Sequence, residues 1–285
     1  MMKIGTGLPN QVRNMRPEVV PGWARQAEEA RFSSLSTVGR YAYPGISDTV
    51  ALAAAAAVTS RIELVSGVLL GPTWPGPLLA KELAGIDGVS GGRLTVGLGV
   101  GGRTDDFVAE GYGSRGRGAR FDRDLETFRE VWQGKPVGDS PNPAVPPATR
   151  QIPLLFGGFA PAALDRMARW GEGYVGGSLP APAVAPSFDA ARAAWQKAGR
   201  EGSPRLVALV YYALGDSEAG RQNVYDYYSA TGDEVASMVA AAVCTSPAMV
   251  TDAISSFADI GADDVIFNTG TDNVDDVKRL ADIVF

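Results

Sequence analysis

The segment RIELVSGVLLGPTWPGPLLAKELAGIDGVSGGRLTVGLGVGG, residues 61–102, decides the fold class of this chain. Its first part, 61–66, is a short β-like run, and residues 94–98 have the same character. Between these runs, residues 77–89 follow a helical pattern that ends at Gly91. The segment therefore predicts a strand, a helix and a second strand, as expected for an α/β protein.

The same alternation extends over the whole chain in both directions. The 35 glycines and 19 prolines fall between short β-like runs and longer helical runs, where they act as punctuation. The predicted strands are 3–8, 34–38, 61–66, 94–98, 153–156, 173–175, 206–212 and 264–267. The predicted helices are 17–31, 48–58, 77–89, 121–132, 161–170, 188–198, 218–229, 249–260 and 274–284.

Eight strands that alternate with helices predict an α/β fold, namely a (β/α)8 TIM barrel with residues 1–285 in a single domain. An open doubly wound sheet is less well supported because the first strand ends in Leu8-Pro9-Asn10, without the glycine fingerprint of dinucleotide-binding sheets. Residues 134–150, GKPVGDSPNPAVPPATR, predict an irregular proline-rich connection inside the barrel. Residues 232–248 predict an inserted helix.

Composition and charge exclude several classes of function. The chain has no histidine and one cysteine, Cys244, which excludes a Ser-His-Asp triad, an internal disulfide and a cysteine-based metal site. We therefore expect no metal. A net charge of −6 and the lack of a dense basic run argue against a nucleic-acid partner. The lack of a long apolar run or a signal-peptide pattern predicts a cytoplasmic protein without a membrane span.

Candidate site residues follow the predicted strands, because (β/α)8 barrels carry their sites at the C-terminal ends of the strands. Glycines there allow close approach of the backbone to a ligand, and a plain turn is the alternative. The glycine pair before the helix at 161–170 also predicts an anion site, with a tight turn as the alternative. The candidates for cofactor binding are these glycines and their neighbours in the same segments, namely Ser66, Gly67, Val68, Gly99, Gly101, Gly157, Gly158, Phe159, Gly176 and Gly177.

Three charged residues after the second and fourth strands are candidates for catalysis. Arg40, which is flanked by Tyr41 and Tyr43, suits an anionic group or an aromatic ring. Asp105 and Asp106 suit proton transfer or the binding of a polar substrate. The alternative for all three is a solvated surface loop.

Three stretches of the sequence are informative together, namely ALAAAAAVTSRIELVSGVLL (51–70), PGPLLAKELAGIDGVSGGRLTVGLGVGG (75–102) and PLLFGGFAPAALDRMARWGEGYVGG (153–177). They resemble the bacterial luciferase-like superfamily of flavin-dependent monooxygenases and F420-dependent oxidoreductases. The resemblance implies a flavin or deazaflavin ring at the mouth of the barrel and a non-prolyl cis peptide at Gly67-Val68 or, alternatively, Ser66-Gly67. It also implies a phosphate site at Gly157, Gly158 and Phe159, with Gly176 and Gly177 beside it.

The resemblance further implies an activity and partners. We expect a monooxygenase that takes reduced FMN from a separate flavin reductase and oxygenates a small organic substrate. The alternatives are F420-dependent hydride transfer, a flavin-binding barrel without catalysis, and a lyase or isomerase of a phosphorylated substrate. A homodimer is also implied. We expect the loops 39–47, 71–76 and 102–118 at the barrel mouth to set the specificity, and their sequences contain no readable substrate code.

One departure from the family pattern affects the chemistry. Many relatives carry an acidic residue followed by histidine after the second strand, where this chain has Gly39 and Arg40. Arginine stays protonated and so transfers protons poorly, although it can stabilise a negative charge on a reduced ring.

Overall fold

Eight parallel strands close into a barrel in the order in which they occur in the chain. The computed structural model describes residues 2–111 and 113–285, and only the backbone of 108–110. The barrel closes where Lys3 of the first strand pairs with Asp264 of the last. The strands are β1 Lys3–Gly7, β2 Ser34–Thr37, β3 Glu63–Leu70, β4 Leu94–Gly99, β5 Leu154–Gly157, β6 Gly173–Val175, β7 Arg205–Tyr212 and β8 Asp264–Thr269. The predicted single-domain (β/α)8 barrel is confirmed.

Helices surround the barrel and connect its strands. They are α1 Val20–Glu29, α2 Asp48–Val58, α3 Gly76–Ser90, α4 Thr104–Glu110, α5 Arg117–Trp132, α6 Pro161–Trp170, α7 Ala181–Lys197, α8 Ser217–Tyr228, α9 Asp233–Ala241, α10 Pro247–Asp259 and α11 Asp275–Val284. The inserted helix predicted in 232–248 is α9. Within the described part of the chain, none of the helices combines the length and the apolar character needed to cross a membrane.

Three elements differ from the sequence-based prediction. The helix predicted at 188–198 begins at Ala181 and contains Pro186, because tertiary packing of its buried face overrides the cost of an internal proline. Residues 102–118, expected to be a loop, contain α4. Strand β3 continues to Leu70, so the Gly67-Val68 bond lies inside the strand, where the register with β4 shifts.

Alternating residues of the strands build two apolar layers. On β7, Val207 and Leu209 belong to a small cluster inside the barrel, whereas Leu206, Ala208 and Val210 pack against the helices. This alternation follows from the two-residue period of a strand. The interior cluster ends at Val68, so the C-terminal mouth of the barrel lies directly above it.

An ionic network closes the opposite, N-terminal end of the barrel. Arg205, the first residue of β7, donates hydrogen bonds to Glu63 at 2.7 and 2.9 Å and to Asp264 at 2.8 Å. Thr95 donates to the same Glu63 carboxylate at 2.7 Å. Burial raises the pKa of Glu63, but the hydrogen bonds and charge of Arg205 outweigh it and leave the pKa below its usual value.

The proline-rich connection 134–150 has no regular element apart from a single bridge between Pro136 and Pro143. Its last residue, Arg150, anchors it to the barrel. The Arg150 guanidinium forms two hydrogen bonds with Asp87, at 2.8 and 2.9 Å, and one with the Leu94 carbonyl at 2.9 Å. The segment therefore packs on the outside of α3 and β4 at its end.

Candidate active site

Two adjoining cavities occupy the C-terminal mouth of the barrel. The inner cavity, about 240 Å³, is lined from the second strand round to Tyr227 and Tyr228 of α8. The outer cavity, about 630 Å³, lies between β4, the start of α5 and the start of α6. They share Val68, Leu70, Gly157, Gly158 and Phe159, so one extended ligand has room to occupy both.

Nine of the ten residues predicted to bind a cofactor line these cavities. Gly67, Gly176 and Gly177 line the inner cavity, Gly99 and Gly101 the outer cavity, and Val68, Gly157, Gly158 and Phe159 both. The tenth, Ser66, is fully buried and donates a hydrogen bond to the Gly97 carbonyl at 2.7 Å. The structure brings the predicted residues together, and their binding role remains a prediction.

The floor of the mouth is formed by Gly67 and Val68, which are joined by a non-prolyl cis peptide bond. The Val68 side chain fits between two glycines of neighbouring strands. A Cβ atom at Gly99 would lie 2.9 Å from Val68 Cγ2, and one at Gly157 would lie 3.1 Å from Val68 Cγ1. A side chain at Gly99 would therefore force the floor to shift, and one at Gly157 would press on it more mildly.

The outer cavity ends at groups that suit a phosphate. Helix α6 begins at Pro161, three residues after Gly158, and Gly158 has a φ of +129°, a conformation that favours glycine. Unpaired N–H groups at a helix N-terminus attract anions. Arg117 and Arg166 line the same cavity. These residues fit the phosphate of a flavin-type cofactor.

The three residues predicted to be catalytic form one ionic cluster. Arg40, whose side chain is only 3% exposed, pairs with Asp105 and lies 3.5 Å from Asp106 Oδ2. Asp106 is fully buried and accepts a hydrogen bond from the Ala42 N–H at 2.8 Å. The cluster holds the loop after β2 against the first turn of α4. The structure thus brings all three together, and their catalytic role remains a prediction.

Arg103 is a second arginine at the mouth, and it is part of the inner-cavity wall. Its guanidinium lies over the rings of Tyr227 and Tyr228, at 5.0 and 5.3 Å from the ring centroids. The Tyr227 hydroxyl donates to the Gly39 carbonyl at 3.1 Å, which fixes one of these rings. Burial raises the pKa of Tyr227, so the ring it presents to Arg103 is a neutral phenol.

Asp48 is a titratable group that the sequence analysis did not single out. It lines a third cavity of about 280 Å³, the side cavity, which adjoins the inner cavity at Gly39 and Leu70. Its Oδ1 atom is buried without a hydrogen-bond partner in the described structure. Burial raises the pKa of this carboxyl to about 6. In a chain without histidine, Asp48 thus ionises close to neutral pH at the mouth of the barrel.

Local sequence could not have identified these additional residues. Asp48 begins α2, and an acidic residue in a first turn is an ordinary helix start. Arg103 belongs to a loop without a recognisable motif, and its two tyrosine partners come from α8, far along the chain. The described residues contain no cluster of three or more acidic or cysteine side chains that suits a metal ion.

Comparisons with known proteins agree with this geometry. The family model described as luciferase-like monooxygenase matches residues 2–264. An uncharacterised protein of Mycobacterium tuberculosis strain H37Rv is 34% identical in an alignment of 172 residues that covers 56% of this chain and 60% of the relative. A second uncharacterised protein of that strain is 31% identical in an alignment of 175 residues that covers 51% of this chain and 61% of the relative. The chain thus spans about 60% of the length of these relatives.

Solved structures with the same architecture include enzymes of two kinds. The monooxygenase RslO1 from Streptomyces bottropensis superposes with a TM-score of 0.77 at 25% identity, covering 99% of this chain and 97% of that chain. An F420-dependent secondary alcohol dehydrogenase in complex with an F420-acetone adduct superposes with a TM-score of 0.80, covering 99% and 98%. At 15% identity this second likeness shows the fold alone. Because the family model covers the barrel from β1 to the first residue of β8, the chain belongs to the luciferase-like monooxygenase family.

Proposed function

We propose that this protein is a flavin-type oxidoreductase that binds reduced FMN at the mouth of its barrel and uses it with oxygen on a small organic substrate. The observation that carries the proposal is the pair of adjoining cavities. The inner one has a floor of Gly67 and Val68, and the outer one ends at the start of α6 beside Arg117 and Arg166. A flat ring fits the inner cavity, and a phosphate-bearing chain attached to that ring fits the outer cavity.

The chain's own residues hold the two ends of this ligand. Val68, between Gly99 and Gly157, supports the ring from below. The first turn of α6 and Arg117 bind the phosphate. Arg166, which lines the same cavity, is held in place by Asp122 with hydrogen bonds of 2.6 and 3.1 Å. Reduced FMN, supplied by a separate reductase, brings the redox chemistry.

The side cavity is the place we propose for the substrate. It adjoins the inner cavity, and its wall includes Tyr43, Trp74 and the carboxyl group of Asp48. The aromatic side chains exclude water from a small organic molecule. The carboxyl group of Asp48 holds or releases the proton that the substrate gains or loses, because a carboxyl with a pKa of about 6 is present in both forms near neutral pH.

F420-dependent hydride transfer is the alternative function of the same site. Its ring and phosphate would use the same two cavities, and the fold of the F420-dependent secondary alcohol dehydrogenase is shared. The two alternatives differ in the cofactor that binds and in their need for oxygen.

The first experiment is an anaerobic titration of the purified protein with FMN and F420, each in oxidised and reduced form. We expect reduced FMN to bind most tightly, with substrate-dependent oxygen uptake in a subsequent screen. Tight binding of F420 alone would replace the monooxygenase by a hydride-transfer enzyme. Binding of neither cofactor would contradict both functions and favour the lyase or isomerase of a phosphorylated substrate.

A further inference from the structure

The arginines that line the mouth differ in how their positive charge is balanced. Arg40 has two carboxylate partners, Asp105 and Asp106, and Arg166 has one, Asp122. Arg117 donates to the carbonyl oxygens of Gly101 and Ser114 at 3.2 and 3.0 Å. Arg103 is in contact with aromatic rings and, among the described side chains, makes no ion pair.

The contacts of Arg103 leave a positive charge and a donor unsatisfied. Aromatic faces attract a guanidinium group but carry no net charge to neutralise it. The Nε atom of Arg103 is buried and has no hydrogen-bond partner in the described residues. Arg103 lines the inner cavity, so a positive charge that no carboxylate balances there points to an acidic or acceptor group on a ligand.

The inner cavity restricts the shape of that ligand. Its floor is the Gly67-Val68 segment, and the glycines after β5 and β6 leave its walls without bulky side chains. The rings of Phe159, Tyr227 and Tyr228 complete the wall. Such a slot accepts a flat, largely apolar ring that meets Arg103 with a polar edge.

We propose that Arg103 is the positive charge that pairs with the anionic ring of reduced FMN, and that it makes the protein bind reduced FMN more tightly than oxidised FMN. This inference rests on the proposed function. A flavin ring is neutral when oxidised and loses a proton near neutral pH when reduced, so only the reduced ring offers a negative charge to Arg103. Arg40 is unsuited to this role because two carboxylates already balance its charge.

In this role Arg103 makes the affinity for FMN depend on the redox state of the flavin ring. Contacts with the floor and with the phosphate are the same for both states, and such uniform contacts cannot discriminate between them. A fixed cation beside the ring interacts differently with a neutral and an anionic ring, and the interaction is strong where water is excluded. A protein that takes up reduced flavin and releases oxidised flavin needs this difference in affinity.

The test compares dissociation constants of oxidised and reduced FMN under anaerobic conditions for the wild type, Arg103→Gln and Arg103→Lys. Arg169→Gln removes the same charge from the exposed face of α6 and serves as the matched control. We expect Arg103→Gln to weaken reduced FMN about tenfold more than oxidised FMN, which lowers the midpoint potential of the bound two-electron couple by about 30 mV. Arg103→Lys and Arg169→Gln should retain the wild-type ratio of the two constants.

The possible results distinguish this inference from the proposed function. Equal weakening of both redox states in Arg103→Gln would overturn the role of Arg103 while leaving the flavin site in place. Unchanged dissociation constants for both redox states would overturn it as well. Failure of the wild type to bind FMN in either state would overturn both proposals. Thermal unfolding of each variant checks that it is folded. If Arg103→Gln does not fold, Arg103→Lys still tests the role, because a lysine keeps the charge and should retain the wild-type ratio of the two constants.

Discussion

Arg40 and Asp106 form a buried ion pair between the loop after β2 and the first turn of α4. Arg40 Nε lies 3.5 Å from Asp106 Oδ2, with side-chain exposures of 3% and 0%. Asp105 pairs with the same guanidinium but is 45% exposed. The two aspartates are adjacent in sequence, yet one is part of the protein interior and the other faces solvent.

This difference predicts unequal effects of substitution. Arg40→Met leaves Asp106 buried without its counter-ion, and we expect a loss of about 3 kcal/mol in the free energy of unfolding. Asp105→Asn removes a half-exposed partner and should cost less than about 1 kcal/mol. Urea unfolding of both variants and the wild type measures the difference. Equal losses would show that the Arg40–Asp106 contact contributes nothing beyond a surface ion pair.

Asp48 predicts a pH-dependent stability difference. Burial raises its pKa in the folded protein to about 6, above the value of 3.8 for an unperturbed aspartate. Its contribution to stability is complete below about 3.8 and is lost as the pH rises through about 6. We therefore expect Asp48→Asn to gain about 2–3 kcal/mol over the wild type between pH 4 and pH 8. Denaturant unfolding at several pH values measures this gain, and a constant difference between the two proteins would contradict it.

The proposed proton-transfer role of Asp48 predicts a change in the pH profile of turnover. The wild type should show an inflection near pH 6, where this carboxyl changes its protonation state. In Asp48→Asn we expect kcat to fall at least tenfold and the inflection to disappear, since an amide cannot take up the proton. Cofactor affinity, measured by titration, should stay within about twofold, because Asp48 is outside the inner and outer cavities. An inflection retained in the variant would assign it to another group.

Substitution of a glycine beside Val68 should weaken cofactor binding selectively. In Gly99→Ala the new Cβ would lie 2.9 Å from Val68 Cγ2, so the floor of the mouth must shift. We expect at least about tenfold weaker binding of reduced FMN, as misplaced binding contacts are costly. Gly85→Ala is the matched control, because Gly85 is exposed on α3 and nothing lies within 4 Å of its added Cβ. Similar affinities for both variants would contradict the assignment of Val68 to the cofactor floor.

Arg205 predicts an effect on stability without an effect on the site. Arg205→Met leaves Glu63 and the nearly inaccessible Asp264 without their common partner at the N-terminal end of the barrel. We expect about 3–5 kcal/mol lower stability near neutral pH. FMN titration of the folded variant should match the wild type, since the network is at the opposite end from the mouth. A large change in affinity would show that the two ends of the barrel are coupled.

Much of the architecture could be predicted from local sequence patterns. Strand and helix periods differ, and their alternation with glycine and proline at the boundaries is sufficient to predict the eight parallel strands. Helix α4 and the early start of α7 were missed because tertiary contacts decide them. Asp106 fits α4 only once Arg40 is beside it, and Pro186 is tolerated only within a helix packed on the barrel.

The sequence by itself determined the barrel and the placement of the glycines of the mouth, because parallel strands in a (β/α)8 barrel bring all their C-terminal ends to one face. Only the tertiary structure decided which charges at that face are neutralised. Arg40 meets Asp105 and Asp106, whereas Arg103 meets the rings of Tyr227 and Tyr228. Such contacts join residues far apart in the chain, and the electrostatic state of a side chain depends on its burial and neighbours, which no local pattern records.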